Sequence, residues 1–246
     1  GGDPSGGFAK AAEMCNNNGH CRKFDAGTMC PSYRATGDEA HLTRGRANTL
    51  RLALSGRFGS AGLASDEVHE ALDLCVSCKG CKRECPTGVD MARLKVEATA
   101  QFKARRGHTL RDRLVAYLPR YAAWAAELAP VVNVLQRLPL REAFAGLSAR
   151  RRLPEWHRHP FTDRPRTLTG GREVALFVDT FNRYFEPENA RAALRVLEAA
   201  GYRVHIAEPL EDDRPLCCGR TFLAAGMPEK AREEATRLLE IGRAHV

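Results

Sequence analysis

Apolar positions recur at helical spacing through the first half of the chain. Thr43 to Leu54 reads as a helix, with Thr43 as its N-cap and Leu50, Leu52 and Leu54 late in it. Ser65-Asp66-Glu67 is a helix start, because a serine oxygen accepts from the free backbone amides and acidic residues suit the positive helix end. Val68, Ala71, Leu72 and Cys75 then fall on one face. Val89 to Arg106 is helical again, opened by Asp90 and closed by Gly107. Arg111 to Leu147 reads as short helices broken by Pro119, Pro130 and Pro139. Arg150 through Pro165 is polar, basic and proline-containing, which predicts a linker. The period then changes. Glu173 to Val178 is a short apolar run suited to a buried strand, Asn189 to Ala200 an amphipathic helix, and Tyr202 to Ile206 a second strand. Strand, helix and strand with short connections predict a parallel βαβ unit. A helix from Glu229 to Glu240 follows. The pattern is thus a helical half and then the beginning of an α/β domain.

Composition narrows the class. The chain has 246 residues, 43% of them apolar and 28% charged, ordinary values for one or two globular domains. No run of about 20 apolar residues exists to span a bilayer; the nearest, Tyr121 to Leu135, is broken by Glu127, Pro130 and Asn133. No signal peptide opens the chain, so a cytoplasmic protein is expected, with peripheral attachment at the inner membrane face as a variant. The net charge is +8, and positions 75 to 120 hold 11 basic and 4 acidic residues. Lys79, Lys82, Arg83, Arg44 and Arg46 are candidates to favour an anionic centre, although a solvated helix face accounts for most such residues. Aromatic residues, at 7%, do not interleave the basic run, which excludes a base-stacking platform for nucleic acid. The chain opens on Gly1 rather than Met, and Ile241 to Val246 looks like a translated sequencing adapter. Both ends are therefore expected to be open.

The nine cysteines change the picture most. The number is odd and no secretory signal is present, so metal or redox chemistry is favoured over a disulfide framework. Cys75, Cys78, Cys81 and Cys85-Pro86 have the C-x2-C-x2-C-x3-C-P form of bacterial iron–sulfur proteins. Three thiolates two residues apart wrap three corners of a cubane, and the fourth, turned away at the proline, serves another cluster. Zinc sites instead separate two ligand pairs by a long spacer. A second run ends at Cys30-Pro31, with Cys21 in the third position and Cys15 in the first. Asn18 then occupies the second, and the Cys21–Cys30 gap is expanded. Cross-ligation predicts one [4Fe-4S] cluster on Cys30, Cys75, Cys78 and Cys81. A second, [3Fe-4S] or [4Fe-4S], falls on Cys15, Cys21 and Cys85, with Asn18 at the vacant corner.

Cys217-Cys218-Gly219 follows the second predicted strand. Adjacent cysteines strain any disulfide between them, and the carboxyl edge of a sheet is where α/β folds place ligands. The pair is a candidate cluster site or redox dithiol, or else two small residues in a turn.

These elements resemble the C-terminal iron–sulfur half of large FAD-linked oxidoreductases of the bacterial D-2-hydroxyglutarate dehydrogenase type. They are carried by Met14 through Tyr33, His41 through Asn48, Leu72 through Met91, and Cys217-Cys218-Gly219. D-lactate dehydrogenases and glycolate oxidases are relatives of that group. The resemblance implies an α+β chain. It places a helical di-cluster ferredoxin-like domain at 1–107, a helical connector and basic linker at 108–168, and a truncated α/β Cys-Cys-Gly domain at 169–240. It also implies an FAD domain upstream or on a separate subunit, and a quinone or carrier protein as electron acceptor. An earlier Gly-Cys expected in a Cys-Cys-Gly domain is replaced by Asp179-Thr180. Two other readings stand beside it. One is a separate iron–sulfur subunit of a glycerol-3-phosphate dehydrogenase or heterodisulfide reductase-like complex; the other is a zinc-stabilised binding protein.

Overall fold

The computed structural model describes residues 6–138, 146–148, 150–166, 170–209 and 215–244. The chain divides into two compact units, 1–107 and 108–246. The first is helical. Helix α1 (Phe8–Glu13) leads into a 3-10 turn at His20–Arg22. Helix α2 (Pro31–Thr36), a 3-10 turn at Glu39–His41 and helix α3 (Thr43–Leu54) follow. Helix α4 (Asp66–Asp73), short α5 (Gly80–Glu84) and long α6 (Met91–Arg106) complete the unit. Ser65 caps α4 by accepting from the Val68 amide, and Asp90 caps α6 by accepting from that of Arg93. Leu42, Leu50, Val68, Leu72, Val89, Met91 and Leu94 form the core, and Cys15, Cys21, Cys30 and Cys81 are buried among them. Two expectations change here. Leu42, not Thr43, is the N-cap of α3, because the Thr43 hydroxyl is engaged by a cysteine. Cys75 lies past the end of α4 rather than on its face.

The second unit begins with α7 (Leu110–Ala116), α8 (Leu118–Glu127) and α9 (Ala129–Leu135). Pro119 and Pro130 lie in the first turns of α8 and α9, where a missing amide costs nothing. Pro139 lies outside the described residues. Residues 150–166 have no regular structure, yet Trp156 and Phe161 are buried. The Asn133 carboxamide donates to the Trp156 carbonyl and accepts from its amide, each at 2.8 Å. The stretch is packed rather than a free tether. Strands β1 (Glu173–Leu176) and β2 (Arg203–Ile206) pair in parallel, with Glu173 opposite Arg203 and Leu176 opposite Ile206. Between them run α10 (Thr180–Tyr184) and α11 (Pro187–Ala199). The described residues are thus an α+β arrangement with one small sheet. The expectation of a fully buried first strand is corrected: β1 alternates exposed and half-buried positions. A two-stranded sheet leaves it as an edge. Short α12 (Arg220–Ala224) and α13 (Pro228–Ala244) end the unit.

Candidate metal centre

The loop before α5 is built by two residues of unusual conformation. Ser77 and Lys79 have φ of 53° and 61°. Side chains rarely adopt that left-handed region, and such strain clusters at functional sites. Gly80 follows because a Cβ there would lie 2.9 Å from Thr28 Oγ1. The amide of Gly80 reaches back to Cys78 Sγ at 3.5 Å.

The first loop repeats this form. Asn17 and Gly19, in the places of Ser77 and Lys79, have φ of 62° and 75°. The His20 amide donates to Asn18 Oδ1 at 2.8 Å, as the Gly80 amide does to Cys78. Asn18 thus keeps the turn bond of the missing cysteine without supplying a thiol. The extra residues between Cys21 and Cys30 are held by Glu84, which lies inside the second motif. Its carboxylate accepts from Thr28 N, Thr28 Oγ1 and Met29 N at 2.7–3.1 Å. Those bonds, the Thr28 amide first, hold the Glu84 carboxyl below its usual range.

Cys30, Cys75, Cys78 and Cys81 line one cavity together with Thr43, Arg46 and Met91. The last cysteine of the first motif is therefore brought to the first three of the second. Cys21 is within electrostatic reach of both Cys15 and Cys30, so the two sets are neighbours. Cys85 packs against the same core as Cys15 and Cys21. A Cβ at Gly88, just after Cys85, would lie 3.7 Å from Met14 Cε, next to Cys15. All nine cysteines are free thiols.

The thiols face a ring of backbone amides. Cys30 Sγ accepts from the Thr43 amide at 3.1 Å and shares a 3.0 Å hydrogen bond with its hydroxyl. The Arg44 amide faces Cys21, and the Met91 amide faces Cys81. Thr43, Arg44 and Met91 are first-turn residues of α3 and α6, whose free amides and dipoles favour negative charge. Burial pushes the Cys21, Cys30 and Cys81 thiols up, and these donors offset part of the rise. Burial acts on Cys85 too, but the Thr87 hydroxyl and the Val89, Thr87 and Gly88 amides outweigh it and leave that thiol below its ordinary value. A bound metal group would require these thiols to be deprotonated.

The basic residues separate into two kinds. Lys79 and Lys82 are exposed and pair with Asp90 at 3.5 and 3.7 Å. Arg44 pairs with Glu39. Arg46 is only 3% exposed. Its burial was missed because the basic run suggested a wet face, yet its spacing with Leu42, Leu50 and Ala53 marks a core stripe. Lys95 and Thr43 were missed as well. Lys95 donates to the Cys75 carbonyl at 2.7 Å and to that of Asp73 at 3.1 Å.

Among the described residues, no three His, Cys, Asp or Glu side chains converge where one metal ion could sit. The four thiols of the cavity come as three spaced two residues apart and a remote fourth, unlike the two separated ligand pairs of a zinc site. A polynuclear group, with its corners apart, suits them better.

In the second unit Cys217 is buried and Cys218 exposed, directly before α12. The Gly219 amide donates to Cys217 Sγ at 3.3 Å. Asp179, just past β1, is within electrostatic reach of Cys218, and Glu234 of Cys217.

Residues 11–89 match the family of 4Fe-4S dicluster domains. D-2-hydroxyglutarate dehydrogenase of Escherichia coli is 28% identical over 166 residues, 53% of this chain and 16% of the relative. That of Pseudomonas putida is 26% identical over 255 residues, 84% and 25% of the two chains. The glycolate oxidase iron-sulfur subunit of Escherichia coli is 28% identical over 223 residues, 88% and 49%. The chain thus spans at most 25% of these dehydrogenases and 49% of the subunit. No solved structure matches it. The relatives are those expected from the cysteine motifs, and the dicluster match covers both motifs.

Proposed function

We propose that the chain is the iron–sulfur electron-transfer module of a flavin-dependent 2-hydroxyacid dehydrogenase of the D-2-hydroxyglutarate, D-lactate or glycolate class. The observation that carries this reading is the meeting of Cys30 with Cys75, Cys78 and Cys81 at one cavity, inside a stretch matching dicluster domains. In this reading those four residues hold a [4Fe-4S] cluster. Cys15, Cys21 and Cys85 hold a second, which is [3Fe-4S] or carries a non-thiolate ligand at its open corner. Bound clusters accept and pass on single electrons. The chain's own part is to bury Cys15, Cys21, Cys30 and Cys81, direct amides of α3 and α6 at Cys21, Cys30 and Cys81, and keep the two sets adjacent. An FAD domain, on the same polypeptide or a partner, delivers electrons from the hydroxyacid, and a quinone or carrier protein receives them. The relatedness to a glycolate oxidase iron-sulfur subunit supports the two-subunit variant equally. Cys217 and Cys218 belong to a Cys-Cys-Gly domain in this reading, with Thr180 where another cysteine would stand.

The protein purified without oxygen is expected to be brown, with visible absorption that dithionite bleaches. EPR of the oxidised protein distinguishes the two forms of the second cluster, since only a [3Fe-4S] cluster gives a signal there. Asn18→Cys should abolish that signal while raising iron content. A colourless, zinc-loaded protein would overturn the reading.

A further inference from the structure

Arg46 is a charge buried without a carboxylate bonded to it. Its Nε donates to the Ala71 carbonyl at 2.8 Å and its Nη2 to Ser32 Oγ at 2.8 Å, both neutral oxygens. The guanidinium is always charged, and burying a charge without an opposite one is costly. Lys95, half-buried one turn into α6, also ends on neutral oxygens, the carbonyls of Cys75 and Asp73. The Asp73 side chain is exposed to water, which screens it. The two cations are close enough to repel each other. A positive pair of this kind calls for an anion. Two cysteines feel it: the Arg46 charge acts on Cys30, and the Cys75 sulfur acts on Lys95, as the Asp73 carboxylate also does. Arg46 itself lines the cavity of Cys30, Cys75, Cys78 and Cys81.

Helices α3 and α6 therefore supply this cavity in the same way. Each directs a first-turn amide at a thiol, Thr43 at Cys30 and Met91 at Cys81, and each places a cation about one turn further on.

We propose that Arg46 and Lys95 are the built-in counter-charge of the group held by Cys30, Cys75, Cys78 and Cys81, and that they set its reduction potential. The inference rests on the reading that these four thiolates hold an iron–sulfur cluster. Adding an electron makes the cluster more negative, so a fixed positive charge nearby stabilises the reduced form and raises the potential. Arg46 and Lys95 are positioning residues, since each acts on the cluster through its charge rather than as a ligand.

The experiment is an EPR-monitored redox titration of the intact, cluster-loaded protein and of Lys95→Gln, Lys95→Arg, Arg46→Gln and Arg46→Lys. Each charge-removing variant is expected to lower the midpoint of this cluster. The shift should be at least tenfold in the ratio of reduced to oxidised form at a fixed potential, or about 59 mV for one electron. The charge-keeping variants should stay near the parent, and the cluster on Cys15, Cys21 and Cys85 should move less. Arg46 also ties α3 to Ala71 and Ser32, so Arg46→Gln can fail to fold; Lys95→Gln then decides alone. Unchanged midpoints in charge-removing variants that retain both clusters overturn this inference and leave the functional reading standing. A parent protein that assembles no cluster overturns both.

Discussion

Two neighbouring sulfurs of the second unit behave as opposites. Cys217 is buried and keeps its proton, because it donates to Cys218 and burial disfavours its charge. Cys218 is exposed and, with that donor, is pulled down to about 6. The thiolate is the nucleophile. At neutral pH iodoacetamide is therefore expected to label Cys218 and spare Cys217. The labelling rate should fall as pH drops through about 6. Cys217→Ala removes the donor, so the midpoint should rise toward the ordinary thiol value of about 8.5; mass spectrometry after timed quenching reads both. The sequence showed an unusual pair here but no asymmetry, since which sulfur is covered depends on tertiary packing. The same holds for Thr43. Its place at the front of a helix suggested a cap, and only the approach of Cys30 from 13 residues away shows that its hydroxyl serves a sulfur. Asn18, by contrast, was legible, because motif register alone puts it opposite Cys78.

At the scale of elements, helix starts were readable where the cap is local. Ser65 and Asp90 each accept from an amide three residues on, a relation written in adjacent sequence. The loop between Cys21 and Cys30 was not readable, because its anchor, Glu84, lies 55 and 56 residues away from the amides it binds. That anchor makes a pH-dependent element. The folded carboxyl lies below its ordinary value, so its bonds contribute fully above the unfolded range and are lost as pH falls through the folded value. The protection factors of the Thr28 and Met29 amides, with the intrinsic pH dependence of exchange divided out, should fall as the solution is acidified through that window. Glu84→Ala should expose both amides at neutral pH and lower the yield of the cluster proposed on Cys30, while α4 and α6 stay protected. Equal protection of these amides in parent and variant would show that the loop is held by something else.

For the whole molecule, the change of period in the sequence separated a helical half from a strand–helix–strand part, and the described parallel register follows from it. What it misjudged was exposure. Alternate residues of β1 stay exposed, and a basic stretch with no regular structure still hides Trp156 and Phe161. Each unit has its own apolar core: Leu50, Val68 and Leu94 in one, Phe161, Leu194 and Val204 in the other. A fragment ending at Gly107 is accordingly expected to fold and to retain the visible absorption of the intact protein. A fragment beginning at His108 should be colourless. A colourless first fragment would assign the colour to Cys217 and Cys218 or to both units together.

The cavity shared by Cys30 and the later loop also imposes a timetable. Ribosomes add about 5–20 residues per second, and Cys81 follows Cys30 by about 50 positions, so synthesis leaves the early thiol waiting for roughly 3–10 s. Throughout that interval the chain has a cysteine destined for burial, but not the later loop that shares its cavity. A cluster held by all four thiols could be completed only after Cys81 is made. A brief oxidative pulse would do most harm to chains caught between those two positions.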